Sequence, residues 1–267
     1  MDSKSLATLI RKNSLNMVHK ASASHIASAL SITDIVAVLY ADIMKYDIKD
    51  AKSQTRDRFI LSKGHACVAI YSVLAEVGFI NKDSLETYGE DDSWLMNHIS
   101  HHVEGVEFST GALGHGLPFG VGKALFSKIK NKKWRTYVLL SDGELDEGSN
   151  WEAFMFASHH NLNNLVSIID YNKLQSLDTI EATLQLEPLR DKLESFGWTV
   201  EEIDGHDHDE LRKSLNKKNH KPLAVIAHTT KGKGVSFMEN NVSWHYKSPS
   251  KEELKLALNE LNIKNEK

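Results

Sequence analysis

Cysteine is almost missing from this chain. Cys67 is the single one among 267 residues, so no internal disulfide can form, and a reducing cytoplasm is the expected setting. Cys67 itself reads as a small core residue rather than a nucleophile. There are four prolines and no low-complexity tract, which leaves no evident linker and favours one domain over residues 1–267. No apolar run approaches the roughly 20 residues that cross a bilayer. The opening segment, MDSKSLATLIRKNSLNMVHK, is broken by charges and lacks a signal peptide's apolar core. A net charge of −4 offers no electrostatic case for nucleic acid or membrane binding. What remains is ordinary for a folded globular chain, with 41% hydrophobic and 25% charged residues and enough length to bury a full core.

The informative stretch is 134–176, WRTYVLLSDGELDEGSNWEAFMFASHHNLNNLVSIIDYNKLQS. Tyr137–Leu140 is a short apolar run of the kind that forms a buried strand. Ser141-Asp142-Gly143 ends it, and Glu144–Gly148 leads into a helix expected to turn Trp151, Phe154, Met155 and Leu162 to one side. A second strand is expected over Leu165–Asp170, followed by the polar turn Tyr171–Leu174. Strand, crossover helix and strand make a βαβ unit with parallel strands. Ligands of open α/β sheets gather beyond the carboxyl ends of the strands, so Asp142 and Asn172 should meet there across thirty positions of sequence. A carboxylate and an amide oxygen are hard ligands suited to Mg²⁺ or Ca²⁺, and phosphate oxygens commonly complete such a shell. Each residue is also a common turn former; their joint placement is what points to a metal-clamped diphosphate.

Asp-Gly, an acidic run, a helix, a strand and then Asn resembles the thiamine diphosphate signature, in wording close to transketolases, with Ser141 where that family has glycine. The resemblance implies that the Asp142 carboxylate, the Asn172 side-chain oxygen and the Leu174 carbonyl hold the ion. It adds Gly143 and Glu147 to the cofactor's surroundings. Glu147 and Glu152 match acids that link the two active sites of the family's dimer, although both also suit a helix N-terminus. The fold implied is α/β, a mostly parallel central sheet with helices on both faces, of the diphosphate-binding type.

Other motifs fall into the same frame. Residues 3–20 have the apolar spacing of an amphipathic helix, and the small-residue loop 21–28 follows. Ser31-Ile-Thr-Asp34 has the form of a capping box opening the next helix. Transketolases place a substrate-contacting histidine in this loop, matched by His25, but Ser-His-Ile-Ala replaces the family's Gly-His-Pro-Gly; a buried hydrogen-bonding role stays open for His25. Arg58–Ser62 should be a strand, and His65 beyond it matches the histidine near the diphosphate and the reacting carbon. The polar stretch 89–105 carries His98, His101 and His102, without the partners of a zinc set. Either they are solvated loop residues or, as the resemblance has it, His98 lines the substrate channel, with Ile99 in place of the family's proline.

The run Gly111-Ala-Leu113-Gly114-His115-Gly116, ahead of a helix with Pro118 in its first turn, offers exposed N–H groups to an anion. By resemblance, Gly111 and Leu113 lie against the cofactor's aminopyrimidine and His115 reaches cofactor or substrate. Later segments read as a helix over Leu186–Phe196, a strand over Trp198–Ile203, a turn at Asp204–Asp207 with no catalytic role for His206, a helix over Asp209–Lys218 and a buried strand over Leu223–His228. Lys231-Gly-Lys-Gly234 is a phosphate-binding segment or an exposed basic turn. His245 resembles the terminal histidine of transketolases, and Ser250–Lys267 a charged amphipathic helix.

The glutamate that activates thiamine diphosphate belongs, in transketolases, to a following pyrimidine-binding domain with no counterpart here. The expectation is therefore the N-terminal subunit of a split transketolase, acting on sugar phosphates with a C-terminal partner subunit, in a homodimer or heterotetramer. His25, His65, His98 and His245 are its expected catalytic histidines. Another thiamine-dependent carboligase, such as a 1-deoxyxylulose-phosphate synthase-like enzyme or a specialised ketose transferase, and a non-catalytic scaffold remain as alternatives.

Overall fold

The computed structural model describes residues 1–263. Its strands are β1 (Arg58–Leu61), β2 (Thr136–Ser141), β3 (Leu165–Tyr171), β4 (Thr199–Asp204) and β5 (Leu223–His228). They form one sheet in the order β1-β2-β3-β5-β4, and every neighbouring pair is parallel. Parallel strands need crossovers, which put helices on both faces and leave the central strands buried throughout; β2 and β3 are buried at every position.

Side-chain alternation sorts the core into two layers. Phe59, Leu61, Tyr137, Leu139, Val166 and Ile168 point to one face, while Ile60, Val138, Leu140, Leu165 and Ile169 point to the other. Helices α1 (Ser3–Lys20), α2 (Ile26–Ser31), α3 (Thr33–Val38) and α4 (Cys67–Val77) pack on the first face. The second is covered by α5 (Gly116–Ile129), α6 (Gly148–His159) and, past the short α7 (Ile180–Thr183), α8 (Leu189–Ser195). Helices α9 (His208–Leu215) and α10 (Lys251–Ile263) return to the first. Asp2 caps α1 by accepting from the N–H groups of Lys4 (3.0 Å) and Ser5 (2.9 Å), as a short acid before a helix does. Cys67 is fully buried in the core. Among the described residues no helix is long and apolar enough to cross a membrane.

Several expectations need correction. The chain is already helical at Ile26, and Ser31 ends α2 rather than capping the next helix. Its hydroxyl is drawn inward and donates to Asp170 Oδ1 at 2.6 Å. Asp34 does lie in the first turn of α3, but it is buried and accepts from both terminal nitrogens of Arg11 (3.0 and 2.6 Å). On α6 the inward stripe is Asn150, Ala153, Phe154 and Ala157; Met155 lies to the side and is exposed, because the i, i+3, i+4, i+7 row starts one residue before Trp151. The helix expected from Leu186 begins at Leu189, since Pro188 restricts the residue before it and resists helical continuation from that side. Of the terminal helix, residues 264–267 lie outside the described residues.

Close packing of α5 on the sheet yields a paired prediction. A Cβ at Gly120 would lie 2.4 Å from Val138 Cγ2, whereas one at Gly122 would meet nothing within 4 Å. Gly120→Ala should lower unfolding free energy by about 1–3 kcal/mol through overpacking. Gly122→Ala should raise it by about 0.5–1 kcal/mol, the helical preference of alanine over glycine. Urea denaturation of the two variants checks this, and equal effects would contradict the packing described.

Candidate active site

The carboxyl ends of β1, β2, β3 and β5 open onto one cleft of about 210 Å³, whose lining includes Lys63, Asp142, Asn172 and Lys231. Ser141 pairs with Asp170 across the sheet, so the residues just beyond the two strands emerge side by side. Asp142 Oδ1 accepts from the Gly143 N–H (2.8 Å) and Oδ2 from the Lys173 N–H (2.6 Å). The second bond reaches the residue next to Asn172 and ties the two turns together. Asp142 and Asn172 thus share one cleft on one side of the sheet, as the βαβ reading required.

The orientation of Asn172 has a cause. Its Nδ2 donates to Asp170 Oδ2 (3.0 Å) and Ser31 Oγ (3.3 Å), and its Oδ1 accepts from the Leu174 N–H (3.0 Å). A carboxylate only accepts, so Asp170 holds the amino side of the amide and leaves the oxygen to the turn. Asp170 is fully buried and also takes Lys63 Nζ at 2.6 Å, Ser31 Oγ at 2.6 Å and the Thr229 hydroxyl. Burial opposes its ionisation, yet the Lys63 charge and these donors outweigh burial and hold it below the usual carboxylate range.

Asp142 shows the opposite balance. Burial, and then the charge of Asp170, push its carboxyl up to about 7. A buried carboxylate beside another anion gains most from a nearby cation, and the donor set here is one carboxylate, one amide oxygen and the Leu174 carbonyl. These are ligands for a hard divalent ion; among the described residues no trio of His, Cys, Asp or Glu forms a competing metal site. Lys231 Nζ donates to the carbonyls of Leu174 (2.8 Å) and Gln175 (2.9 Å). Burial, followed by repulsion from Lys63, lowers its pKa to about 8. Two ammonium groups and a raised carboxyl at the cleft floor fit an anionic ligand with its metal.

The upper wall is built of imidazoles. His25 lies 5.0 Å from His65, 4.8 Å from His245 and 5.9 Å from His98, measured between ring centroids. His25 adopts a left-handed backbone (φ 71°) and donates its N–H to the His245 carbonyl at 2.8 Å. For a residue with a Cβ that conformation is uncommon, and it turns the ring into the cleft. Burial, then the neighbouring His98 and the two lysines, lower His25 to about 4. Burial and Lys231 lower His245 to about 3, and burial and Lys63 depress His65 well below its ordinary value. At neutral pH all three are uncharged, each able to donate and accept one hydrogen bond. The Nδ1 atoms of His25 and His245 are buried without a protein partner among the described residues, which suits donors and acceptors meant for a ligand.

The remaining expected residues spread around this centre. Leu113 and Gly143 line the cleft. Gly111 packs on His98, where a Cβ would lie 2.9 Å from the ring; His98 is exposed, 5.9 Å from His25 between ring centroids, and neither residue is part of the cleft lining. His115 is exposed, with Nδ1 3.0 Å from the Leu113 carbonyl, and is not part of the lining. Glu147 and Glu152 are exposed on this chain. His206 faces elsewhere, its Nδ1 2.7 Å from Asp34. Lys231 is buried, which corrects the exposed-turn reading of its segment. Lys63, Asp170, Glu144, Ser28 and Tyr246 escaped the sequence reading. A lysine after one strand and a lone acid inside the run Leu-Val-Ser-Ile-Ile-Asp170 were the available signals, since buried charges need partners.

A family model described as transketolase, thiamine diphosphate binding domain, matches residues 2–267. The chain belongs to the transketolase family. It is 43% identical over 260 residues to an apulose-4-phosphate transketolase subunit from Phocaeicola vulgatus, covering 96% of this chain and 92% of that one. A 6-deoxy-6-sulfo-D-fructose transketolase subunit of a Clostridium species is 36% identical, covering 98% and 96%. The crystal structure of transketolase from Campylobacter jejuni superposes with a TM-score of 0.92 at 31% identity, over 96% of this chain and 42% of that one. The chain therefore spans about two-fifths of that transketolase and nearly all of the two separate subunits. The matched transketolase-type domain is the one that binds thiamine diphosphate.

The neutral histidines carry a pH consequence. Their folded pKa values lie below the unfolded value of about 6.5, so their contribution to stability is complete above that pH and is lost as the pH falls towards 4. The three histidines should cost the metal-free chain stability between pH 6.5 and 5, partly offset by protonation of Asp142, whose raised pKa acts in the opposite direction. His245→Asn should flatten that loss by about 0.5 kcal/mol at pH 5.5, a figure discounted for solvent reaching the cleft. Thermal unfolding across this range measures it; an unaltered pH profile in the variant would contradict the assignment.

Proposed function

We propose that this chain is the N-terminal, diphosphate-binding subunit of a split transketolase, which transfers a two-carbon ketol unit between sugar phosphates together with a C-terminal partner subunit. The observation that carries the reading is the meeting of Asp142, Asn172 and the Leu174 carbonyl with three neutral histidines in one cleft. The names of the two relatives, both separate subunits matched over nearly their whole length, support the split arrangement. Their named substrates also favour a specialised ketose transferase over the housekeeping reaction; the replaced residues around His25 and His98 agree with that.

In this reading Asp142, Asn172 and the Leu174 carbonyl hold Mg²⁺ or Ca²⁺, and the metal and Lys231 neutralise the diphosphate. His65, Gly111, Leu113, His115, Gly143 and Glu147 complete the surroundings of the cofactor. When bound, thiamine diphosphate supplies the carbanion stabilisation that cleavage beside a carbonyl needs. The protein's share is binding, orientation and proton traffic. His25, His65, His98 and His245 face the substrate side, where uncharged imidazole can accept a proton from one sugar hydroxyl and return it to another. Their depressed pKa values keep them from repelling the lysines below. The partner would add the pyrimidine-binding domain and its activating glutamate, with Glu147 and Glu152 facing that junction in a homodimer or heterotetramer. A cytoplasmic setting fits the single buried thiol.

Two measurements test the proposal. In calorimetry, thiamine diphosphate should bind the chain only with a divalent ion present, and Asp142→Ala should weaken binding at least 100-fold by removing the ion's only carboxylate; unchanged affinity would refute the clamp. The chain alone should show negligible turnover of ketose phosphates, and a co-purified partner should restore it. Full activity without a partner would contradict the split arrangement.

A further inference from the structure

We infer that Glu144 is a positioning residue that registers the two halves of the cofactor cleft against each other. The inference rests on the cofactor reading above and extends it to a residue that reading leaves unused. Glu144 lies in a short 3₁₀ turn, Gly143–Asp146, that begins directly after Asp142, and it is fully buried. Its Oε1 accepts from the Ser62 hydroxyl (2.5 Å) and the Gly114 N–H (2.9 Å), and its Oε2 from the Ser141 N–H (3.4 Å). Three segments thus converge on one carboxylate: the end of β1, the glycine-rich loop and the turn that holds the metal-facing acid.

The backbone of Glu144 is equally tied. Its N–H donates to Ser141 Oγ (3.2 Å), and its carbonyl accepts from Asn150 Nδ2 (2.6 Å). The glycine-rich loop has little freedom of its own to reach another position. Gly114 has φ +81°, and a Cβ on Gly116 would lie 2.2 Å from Ser62 Oγ, so the loop is seated on the residue that also binds Glu144. Ser149 Oγ holds the Gly114 carbonyl at 2.6 Å from the other side. Leu113, next in the chain, lines the cleft. The distance between the metal end of the cleft, at Asp142, and its ring end, at Leu113, is therefore set through Glu144. A buried acceptor with three donors is costly to disturb, which makes this spacing stiff.

A structural role alone would affect every ligand of the cleft equally, whereas a registering role discriminates by ligand length. Binding of Mg²⁺ with inorganic pyrophosphate reports the metal end only; Mg²⁺ with thiamine diphosphate reports both ends. Calorimetry on the native full chain, Glu144→Gln and Ser62→Ala compares the two probes. Glu144→Gln keeps the size and one acceptor, and should leave pyrophosphate affinity within twofold while weakening thiamine diphosphate fivefold or more. Ser62→Ala, which spares the Gly114 bond, should show the same selectivity to a smaller degree. Equal losses for both probes, or no loss for either, would overturn the inference. Binding of neither probe by the native chain would overturn the cofactor reading and this inference with it.

Discussion

A carboxylate with no access to water organises this cleft. Asp170 sits inside the sheet, and a buried charge is tolerable only when paired and fully hydrogen-bonded. Lys63 supplies the pairing charge, and Ser31, Thr229 and Asn172 supply the donors. Those partners come from α2, the loop after β1, the turn after β3 and the loop after β5, so satisfying one anion fixes four segments around the carboxyl edge of the sheet. Removing a partner from such a group costs about 3–5 kcal/mol, a large share of the roughly 5–15 kcal/mol by which folded proteins are stable. The Asn172 amide, whose oxygen the proposed metal would need, is oriented as a by-product of that requirement.

Burial sets the rest of the electrostatics, with neighbouring charges adding to it. Burial, with the charge of Asp170 added, raises Asp142 and so leaves a second acid in want of a cation. Burial, reinforced by the nearby charges of Lys63 and Lys231, depresses the imidazoles of the cleft. The result is a gradient: an acidic and cationic floor suited to a metal and a diphosphate, and a neutral, hydrogen-bonding wall suited to sugar hydroxyls.

The strands and the placement of Asp142 and Asn172 could be read from residues because they obey local rules. An apolar run of four to six residues ending in a polar turn is a strong pattern, and strand ends of a parallel sheet share one edge. What escaped was set by tertiary demands. Ser31 looked like a helix cap, but the buried acid on β3 claimed its hydroxyl. Met155 fitted a helical stripe that the sheet placed elsewhere, one residue earlier. Lys231 looked like part of a solvated basic turn; only the return of the chain after β5 shows it reaching under the loop that follows Asn172. Glu144 looked like one acid in an acidic run, and its three donors come from segments 3 to 82 residues away. Sequence spacing finds residues at the ends of elements and misses those whose partners come from different elements.

The most direct test is to locate the ion. Crystals of the chain grown with Mn²⁺ and thiamine diphosphate would reveal the metal by anomalous diffraction. The account predicts one anomalous peak in the cleft, bound by the Asp142 carboxylate, the Asn172 amide oxygen and the Leu174 carbonyl, with diphosphate oxygens completing the shell. A peak on the histidine wall or outside the cleft, or diphosphate held there with no metal, would contradict it.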